Sequence, residues 1–473
     1  MRPARRAAVV LAVLAALALA AGVGVLLYLQ AQGVTPRALA PYVERRSSGH
    51  NGLITGAGAW SGAILRRLDR GADGGPYPLP PLTVGAQPEP VGQAGRKDLA
   101  VMSVDEARQA FAQALAGDTI TFAPGVYRVR KLEARRPGVK GAPIVVRAAQ
   151  PGSVTIEVEG AEGFLVAAPY WRFENLVIRG ACAPQEGCEH AFHVIGRGQG
   201  FTAVNNTISD FNAHFKINGD RNGFPDDGLI ANNTLGNSTV RKTRNPVTPI
   251  DLVAASGWTV RGNLVTDFVK AGGDGVSYGA FAKGAARGTV FEGNVIVCEH
   301  LLRGHPGQRV GLSFGGGGTG KPYCRDGRCD AEHEAGTMRA NLVASCSDAG
   351  IYVNRGAASR ILDNTLLDTA GVQVRFPESS ARLDGNLVDG GLVSRDGGRL
   401  EPGDNRVTPI ALTYLGYHPQ RWLFADPATL DLRWEQEAPL RGGAAAGPDL
   451  CGVTRPASAA YGAFEDFGAC LRR

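Results

Sequence analysis

The chain has 473 residues, 65 of them Gly and 28 Pro, with 20% charged and 7% aromatic residues. Gly at about 14% is roughly twice its usual share, and the composition excludes a coiled coil and a charged disordered tail. A net charge of +6, from 50 basic and 44 acidic residues, is too mild over this length to indicate nucleic acid, yet it suits a polyanion lying along a groove.

Arg2, Arg5 and Arg6 precede an uncharged stretch from Ala7 to Gln32. Its most apolar part, Ala7 to Leu29, would make a helix of ~34 Å, enough to cross a bilayer. Residues 1–32 are therefore predicted to be a single transmembrane signal anchor in the inner membrane. Its flanking charges place the rest of the chain in the periplasm or outside. The rival reading is a signal peptide cleaved near Ala18-Leu19-Ala20, followed by secretion. Eight Cys agree with export. Their positions match the pairing 182–188, 298–346, 324–329 and 451–470, although eight Cys allow 105 pairings. A zinc site from Cys324, Cys329 and His333 is the alternative for one pair.

Residues 33–96 read as a stem in which Arg66, Arg67 and Arg70 end a short helix and Pro76-Tyr-Pro-Leu-Pro-Pro81 is an extended linker. Ser103-Val-Asp-Glu106 has the spacing of a capping box. It opens a helix over 103–116 with Val104, Ala107, Phe111 and Leu115 on one face and Gly117 at its close. From there the chain repeats: an apolar residue, one or two spacers, Asn, then two residues rich in Leu, Val, Ile or Thr. The Asn residues stand at 175, 206, 233, 263, 294, 341, 364 and 386, with gaps of 31, 27, 30, 31, 47, 23 and 22 residues. Short β-branched strands with one Asn per turn predict an all-β fold, a right-handed parallel β-helix over 97–410. The Asn is expected in the left-handed turn conformation, its side chain bonding from coil to coil. About ten coils at ~4.8 Å make a rod of roughly 50 Å, with the helix at 103–116 capping its first end.

A second strand recurs before each Asn. It reads Phe192-His-Val-Ile195, Phe215-Lys-Ile-Asn218, Ile250-Asp-Leu-Val253, Val276-Ser-Tyr-Gly279, Leu312-Ser-Phe-Gly315, Ile351-Tyr-Val-Asn354 and Val372-Gln-Val-Arg375. First and third positions point inward, so second positions form an outward stripe of His193, Lys216, Asp251, Ser277, Ser313, Tyr352 and Gln373. Asn218, Asn354 and Arg375 add to it from fourth positions. A mixed polar stripe suits an extended sugar chain. A merely solvated strand face is the plainer reading, and the clustering of Asn354, Arg355 and Arg375 favours binding. Gly315 to Lys321 imitates a phosphate loop, but Pro322 stands where Ser or Thr should hold magnesium. Gly-x-Ser-x-Gly occurs around Ser277 and around Ser313, at what read as equivalent repeat positions, which points to strand register and away from a nucleophile elbow. Asp226-Asp227 reads as a solvated turn before a hydrolase pair. The insertion at about 316–337, together with Glu299, His300 and His305, would arch over the groove or form a disulfide-pinned loop.

Ser103 to Gly180 resembles the opening of the chondroitinase-B and alginate lyase family of β-helix polysaccharide lyases. The likeness rests on the cap helix, on Gly117-Asp-Thr-Ile-Thr-Phe-Ala-Pro-Gly-Val-Tyr127, on Pro143-Ile-Val-Val-Arg-Ala148, and on Tyr170-Trp-Arg-Phe-Glu-Asn-Leu-Val-Ile-Arg179. Ile351-Tyr-Val-Asn-Arg355, followed by Asn364-Thr-Leu and Val372-Gln-Val-Arg375, is similar to that family's catalytic stretch. The resemblance places Arg355 at the position of a Lys base and Arg375 at that of an Arg. It places Asp348 at one acidic calcium ligand and Gly350 at a second, so it implies calcium with half of the pattern kept. Phe424-Ala-Asp-Pro, Ala438-Pro-Leu, Asp449-Leu-Cys-Gly-Val-Thr-Arg455 and Tyr461-Gly-Ala-Phe-Glu465 resemble the terminal segment of exported β-helix proteins, which implies that residues 411–473 are a capping tail over the C-terminal end of the solenoid.

β-Elimination removes the C5 proton of a uronic acid once a cation neutralises the adjacent carboxylate. Arg is in general a poor base, although the pectate lyases on a similar fold use it so. The expected function is action on an anionic polysaccharide by a uronic-acid lyase. Arg355 and Arg375 would be catalytic, and Tyr352, Asn354, Lys216, His193 and Asp251 would bind substrate. The alternatives are a non-catalytic glycan-binding or envelope-assembly protein, and a hydrolase or epimerase on the same scaffold.

Overall fold

The computed structural model of the chain describes residues 3–69, 78–88, 95–316, 318–442 and 447–472. Arg2, Arg70, Pro76 and Tyr77, and the side chains of Arg5 and Arg6, lie outside what is described. Successive coils each place one strand in each of three parallel sheets of twelve, ten and eleven strands. The first sheet runs from Asp98–Val101 to Arg399–Pro402, the second from Leu132–Ala134 to Gly391–Arg395, and the third from Gly125–Val129 to Arg406–Val407. The result is the right-handed parallel β-helix that the repeats predicted. Alternate residues of all three sheets turn inward and form one continuous apolar core from Val101 to Val388. Phe164, Phe192 and Phe215 stack within it on successive coils, at 5.0 and 5.2 Å between ring centres.

The Asn side chains form the expected ladder, with one change of register. Asn206 Oδ1 accepts from Leu176 N, and each later Asn does the same for the Asn before it, through 233, 263, 294, 341, 364 and 386 to Asn405. Asn175 stands one residue before the ladder position. The left-handed conformation belongs to the residue preceding each ladder Asn from 206 to 386, such as Asn205 (φ 59°), Gly293 (φ 59°) and Asp363 (φ 52°). The turn therefore frees the next residue to aim its amide inward, where the buried backbone of the neighbouring coil needs a partner.

The cap helix spans Val104–Gln113, shorter than expected, so Leu115 falls beyond its end and is exposed. Ser103 accepts from Glu106 N, and Glu106 reaches Met102 N. Phe111 seals the end by stacking 5.2 Å from Trp171. All four disulfides form as the Cys positions indicated: 182–188, 298–346, 324–329 and 451–470. The C-terminal tail runs along the side of the solenoid. Phe424, Leu432, Phe464 and Phe467 pack on Val295, Leu342 and Leu387, which are outward residues of the third sheet.

One helix, Pro3–Gln32, contains a segment, Val9–Gln32, that is long and apolar enough to cross a membrane. The segment read as a stem holds two helices, Pro36–Ser47 and Gly52–Leu68. Thr35 and Asn51 cap them by accepting from Ala38 N and Ile54 N. They pair closely because Gly58 and Gly62 leave room for Ser47 and Glu44. Buried ion pairs hold this hairpin on the solenoid. Arg37 binds Asp69 at 2.5 Å and donates to Cys346 O, and Asp368 lies 4.0 Å away, itself paired with Arg421. His418 bridges Asp389 and Leu68 O. Burial opposes the charge on Asp368, but Arg421 and Arg37 outweigh it and hold the carboxyl below the usual range.

Candidate active site

The outer face of the second sheet meets the helix Pro36–Ser47 at a cleft of about 550 Å³. Register builds its floor. Tyr352 pairs with Ser313 on one side and Gln373 on the other, and Arg375 lies between Asn354 and Arg395 on neighbouring strands. Tyr352, Asp348, Arg375 and Arg395 line the sheet side, and Tyr42 and Arg45 line the helix side. Asn354 Nδ2 donates to Tyr352 Oη at 3.0 Å and fixes the phenol. Burial pushes that phenol up, although Arg375 pulls the other way. Arg375 pairs with Asp396 outside the cleft and lies 4.7 Å over the Phe376 ring. Arg45 and Arg395 have no ion-pair partner among the described residues.

Asp348 is the one carboxylate among the described residues that line the cleft. Burial pushes its carboxyl up, and its Oδ1 accepts from Ala349 N. Its charged neighbours Arg375 and Arg395 are cations. Among the described residues no group of three or more His, Cys, Asp or Glu converges on a point. That donor set does not fit a calcium ion, which takes about six to eight oxygens, and no step below is routed through one.

The structure divides the other expected site residues. Arg355 stands at the rim, in the left-handed conformation (φ 59°), with its guanidinium 5.7 Å from the centre of the Phe376 ring that Arg375 also meets and 4.0 Å from Glu378. His193, Lys216 and Asp251 are strand neighbours of one another and lie well away from the cleft. Lys216 is four strands from Tyr352, ~19 Å at the usual spacing. There Lys216 pairs with the buried Asp251 at 2.8 Å, and His193 lies between Glu162 and Asn218. His190 beside them is pushed down to about 4, by burial first and by the His193 and Lys216 charges next.

The stripe between these two groups is not the polar row expected. Strand Val276–Lys283 is eight residues long, so Phe281 takes the stripe position opposite Asp251 and Ser313, while Ser277 pairs with Arg309. Ser277 and Ser313 are therefore not equivalent in the repeat, and both are buried. Phe281 packs with Val253 and Ala254. The insertion follows the C-terminal end of the strand Gln308–Phe314, where Glu332 N donates to Arg355 O. Its Arg325 binds both oxygens of Asp226, so that acid is a structural partner in this chain. Glu332 accepts from Thr319 and Gly284 N, and His333 stacks 4.3 Å from Phe314, where burial pushes it down to about 3. Cys324 and Cys329 are joined to each other, which removes the thiolates a zinc site needs. Glu299 and His300 lie at the opposite end of the strand, engaged with Arg309 and Asp267.

Tyr42, Arg45 and Arg395 were missed in the sequence. Arg395 was within reach, because Leu392-Val-Ser-Arg395 repeats Val372-Gln-Val-Arg375 one coil on. Thr35-Pro36 is a helix-start signal, but nothing local says where that helix docks.

Comparison with known proteins agrees with this architecture. Residues 101–219 match the family model Chondroitinase B. The chain has a polysaccharide lyase-like β-helix fold. It is similar to the crystal structure of pectate lyase Pel9A, with 15% identity over 82% of this chain and 98% of the other, at a TM-score of 0.50. Weaker likenesses are an alginate lyase from Paenibacillus sp. str. FPU-7 (14% identity, 66% and 99% coverage, TM-score 0.35) and the PL6 polysaccharide lyase Pedsa3628 from Pseudopedobacter saltans (13%, 66% and 92%, TM-score 0.35). Among curated proteins, none matches the chain.

Proposed function

We propose that the chain acts on an anionic polysaccharide as a uronic-acid lyase at the outer face of the membrane that holds its N-terminal helix. One observation carries this reading: the cleft presents three arginines and three tyrosines around a single carboxylate. Hydrolysis of a glycosidic bond ordinarily uses a pair of carboxylates about 5–9.5 Å apart. Elimination needs cations for the uronate and a group that moves one proton. Arg375 and Arg395 neutralise the substrate carboxylate. Tyr352, held by Asn354, moves the proton: its phenolate oxygen takes the C5 proton, and the freed electron pair forms the C4–C5 double bond. The C4–O4 bond then breaks, and the phenol returns the proton to O4. Arg355 meets the polymer at the rim.

The test is ultraviolet absorbance of the unsaturated uronate, with the full chain, a panel of uronic-acid polymers, and calcium or a chelator. A rise is expected in both conditions. Arg375→Ala should lower kcat about 10²–10³-fold, the usual loss for one electrostatic stabiliser, and Arg355→Ala should raise KM alone. New reducing ends without absorbance would overturn the lyase reading in favour of a hydrolase. Loss of kcat in Arg355→Ala would move proton transfer to Arg355.

A further inference from the structure

We propose that the cleft takes an anionic glycan still tethered to the bilayer, with Tyr42 and Arg45 of the helix Pro36–Ser47 as the second wall of its binding site. The proposal rests on the lyase reading and adds where the substrate is presented and which residues hold it. Gly33 and Val34, the residues that directly follow the apolar segment Val9–Gln32, line the same cleft as Tyr352 and Arg375. A helix of that length spans ~36 Å, so its last turn reaches the headgroup level of a bilayer whose apolar core is ~30 Å thick.

The junction is not a loose tether. Ala411 N donates to Gln30 Oε1, Tyr414 Oη donates to Val34 O, and Gly33 is packed so closely on Val393 that a Cβ there would overlap its side chain. The cleft mouth is thus fixed at the membrane surface and cannot swing out to meet a distant polymer. Its lining fits a chain entering from that surface. Val34 lies two residues beyond the apolar segment, and Arg45, without an ion-pair partner among the described residues, lines the same cleft as the arginines of the sheet. An anion between these walls gains charge-assisted hydrogen bonds from both. Tyr42 supplies a flat face for a sugar ring and is itself covered on one side by Arg46 at 5.5 Å.

The experiment uses the full chain in phospholipid vesicles. The probes are an oligouronate coupled to a phosphatidylethanolamine headgroup in the same vesicles, and the same oligouronate free in solution. Unsaturated product is followed by absorbance, and Tyr42→Ala and Arg45→Ala are compared with the parent chain. Both side chains are exposed, so the fold does not depend on them. The tethered probe should be cut with the lower KM, and Arg45→Ala should raise that KM about tenfold with kcat unchanged, the value of one lost anion contact. Equal KM for both probes, with no effect of either variant, would overturn this inference and leave the lyase reading intact. Faster turnover in the variants would make the helix a lid and also overturn it. Absence of product and of binding with both probes would overturn the lyase reading and this inference with it.

Discussion

Removing Arg37 should release the helical hairpin from the solenoid without unfolding the solenoid itself. The Arg37 side chain is 6% exposed and Asp69 7%, and two short contacts, 2.5 and 2.6 Å, join them. Arg37→Ala leaves the Asp69 carboxylate buried without its paired cation, with only the His418 charge nearby and Asp368 repelling it. Breaking a buried pair from one side costs about 3–5 kcal/mol. Asp69→Ala is milder, about 2–4 kcal/mol, because Arg37 keeps Cys346 O and the Asp368 charge at 4.0 Å. Arg37→Met with Asp69→Leu removes both charges and keeps the volume filled, so it should cost less than about 2 kcal/mol. The double change then costs at least ~3 kcal/mol less than the two single changes together, more than independent sites show. Hydrogen exchange reads this directly. In Arg37→Ala, amides of Pro36–Ser47 and Gly52–Leu68 should lose about two to four orders of magnitude of protection, while those of the Asn ladder stay unchanged. Additive losses in the double variant, or equal losses in ladder and hairpin, would refute the reasoning.

Three further outcomes follow from the same structure. Asn263→Ala removes bonds to Asn233 N, Asn233 Nδ2, Ile230 O and Asn294 Oδ1 in a fully buried site, and should cost about 3–5 kcal/mol by urea unfolding. Asn405→Ala at the partly wet end of the ladder should cost about 1 kcal/mol, since water replaces its bonds to Asn386. His418 is desolvated, yet Asp389 and Leu68 O outweigh this and raise its pKa. Its contribution to hairpin docking is therefore complete below about pH 6.5 and is lost as pH rises through the elevated value. Proteolytic clipping near residue 69 should increase at alkaline pH in the parent chain and be flat with pH in His418→Gln. Because the Tyr352 phenol is raised, its phenolate grows with pH throughout the neutral range, so log kcat should climb with pH from about 7 to 9 and level only above the ordinary Tyr value of about 10. A flat profile, or one unchanged in Tyr352→Phe, would remove Tyr352 from proton transfer.

The solenoid was legible because its defining interaction is local and repeats. An Asn placed after a turn residue writes itself into the sequence at every coil, and inward alternation does the same for Phe192, Phe215 and Ile250. Register errors arose where a coil departs from the average. The first ladder position is filled by Leu176 and not by Asn175, and Val276–Lys283 is long enough to move Ser277 out of the stripe and put Phe281 in it. Half of the cleft was visible for the same reason: Tyr352, Asn354 and Arg375 occupy repeat positions. The other half is set by contacts between residues hundreds of positions apart, such as Arg37 with Cys346 and Tyr414 with Val34. No periodicity encodes where the hairpin docks, so Tyr42 and Arg45 carried no signal. The side position of the tail was hidden likewise, since an apolar run of Phe424, Phe464 and Phe467 fits an end cap as well as a wall.

The cleft joins two parts of the molecule held by different forces. Its floor belongs to sheets whose backbone bonds and Asn ladder run unbroken through the solenoid, so Tyr352 and Arg375 move only if several coils move. Its other wall hangs on a few buried charges and on the His418 bridge. Buried ion pairs contribute little net stability, yet they fail sharply when one partner is neutralised. The wall should therefore be lost at lower temperature, lower denaturant or higher pH than the floor. Anion binding between Arg45 and the sheet arginines would favour the docked hairpin in proportion to ligand concentration. A glycan in the cleft should thus raise the temperature at which the hairpin releases while leaving the unfolding of the solenoid where it was. A ligand bound by the sheet face alone, at His193 and Lys216 for example, has no contact with the hairpin and would shift the solenoid transition instead.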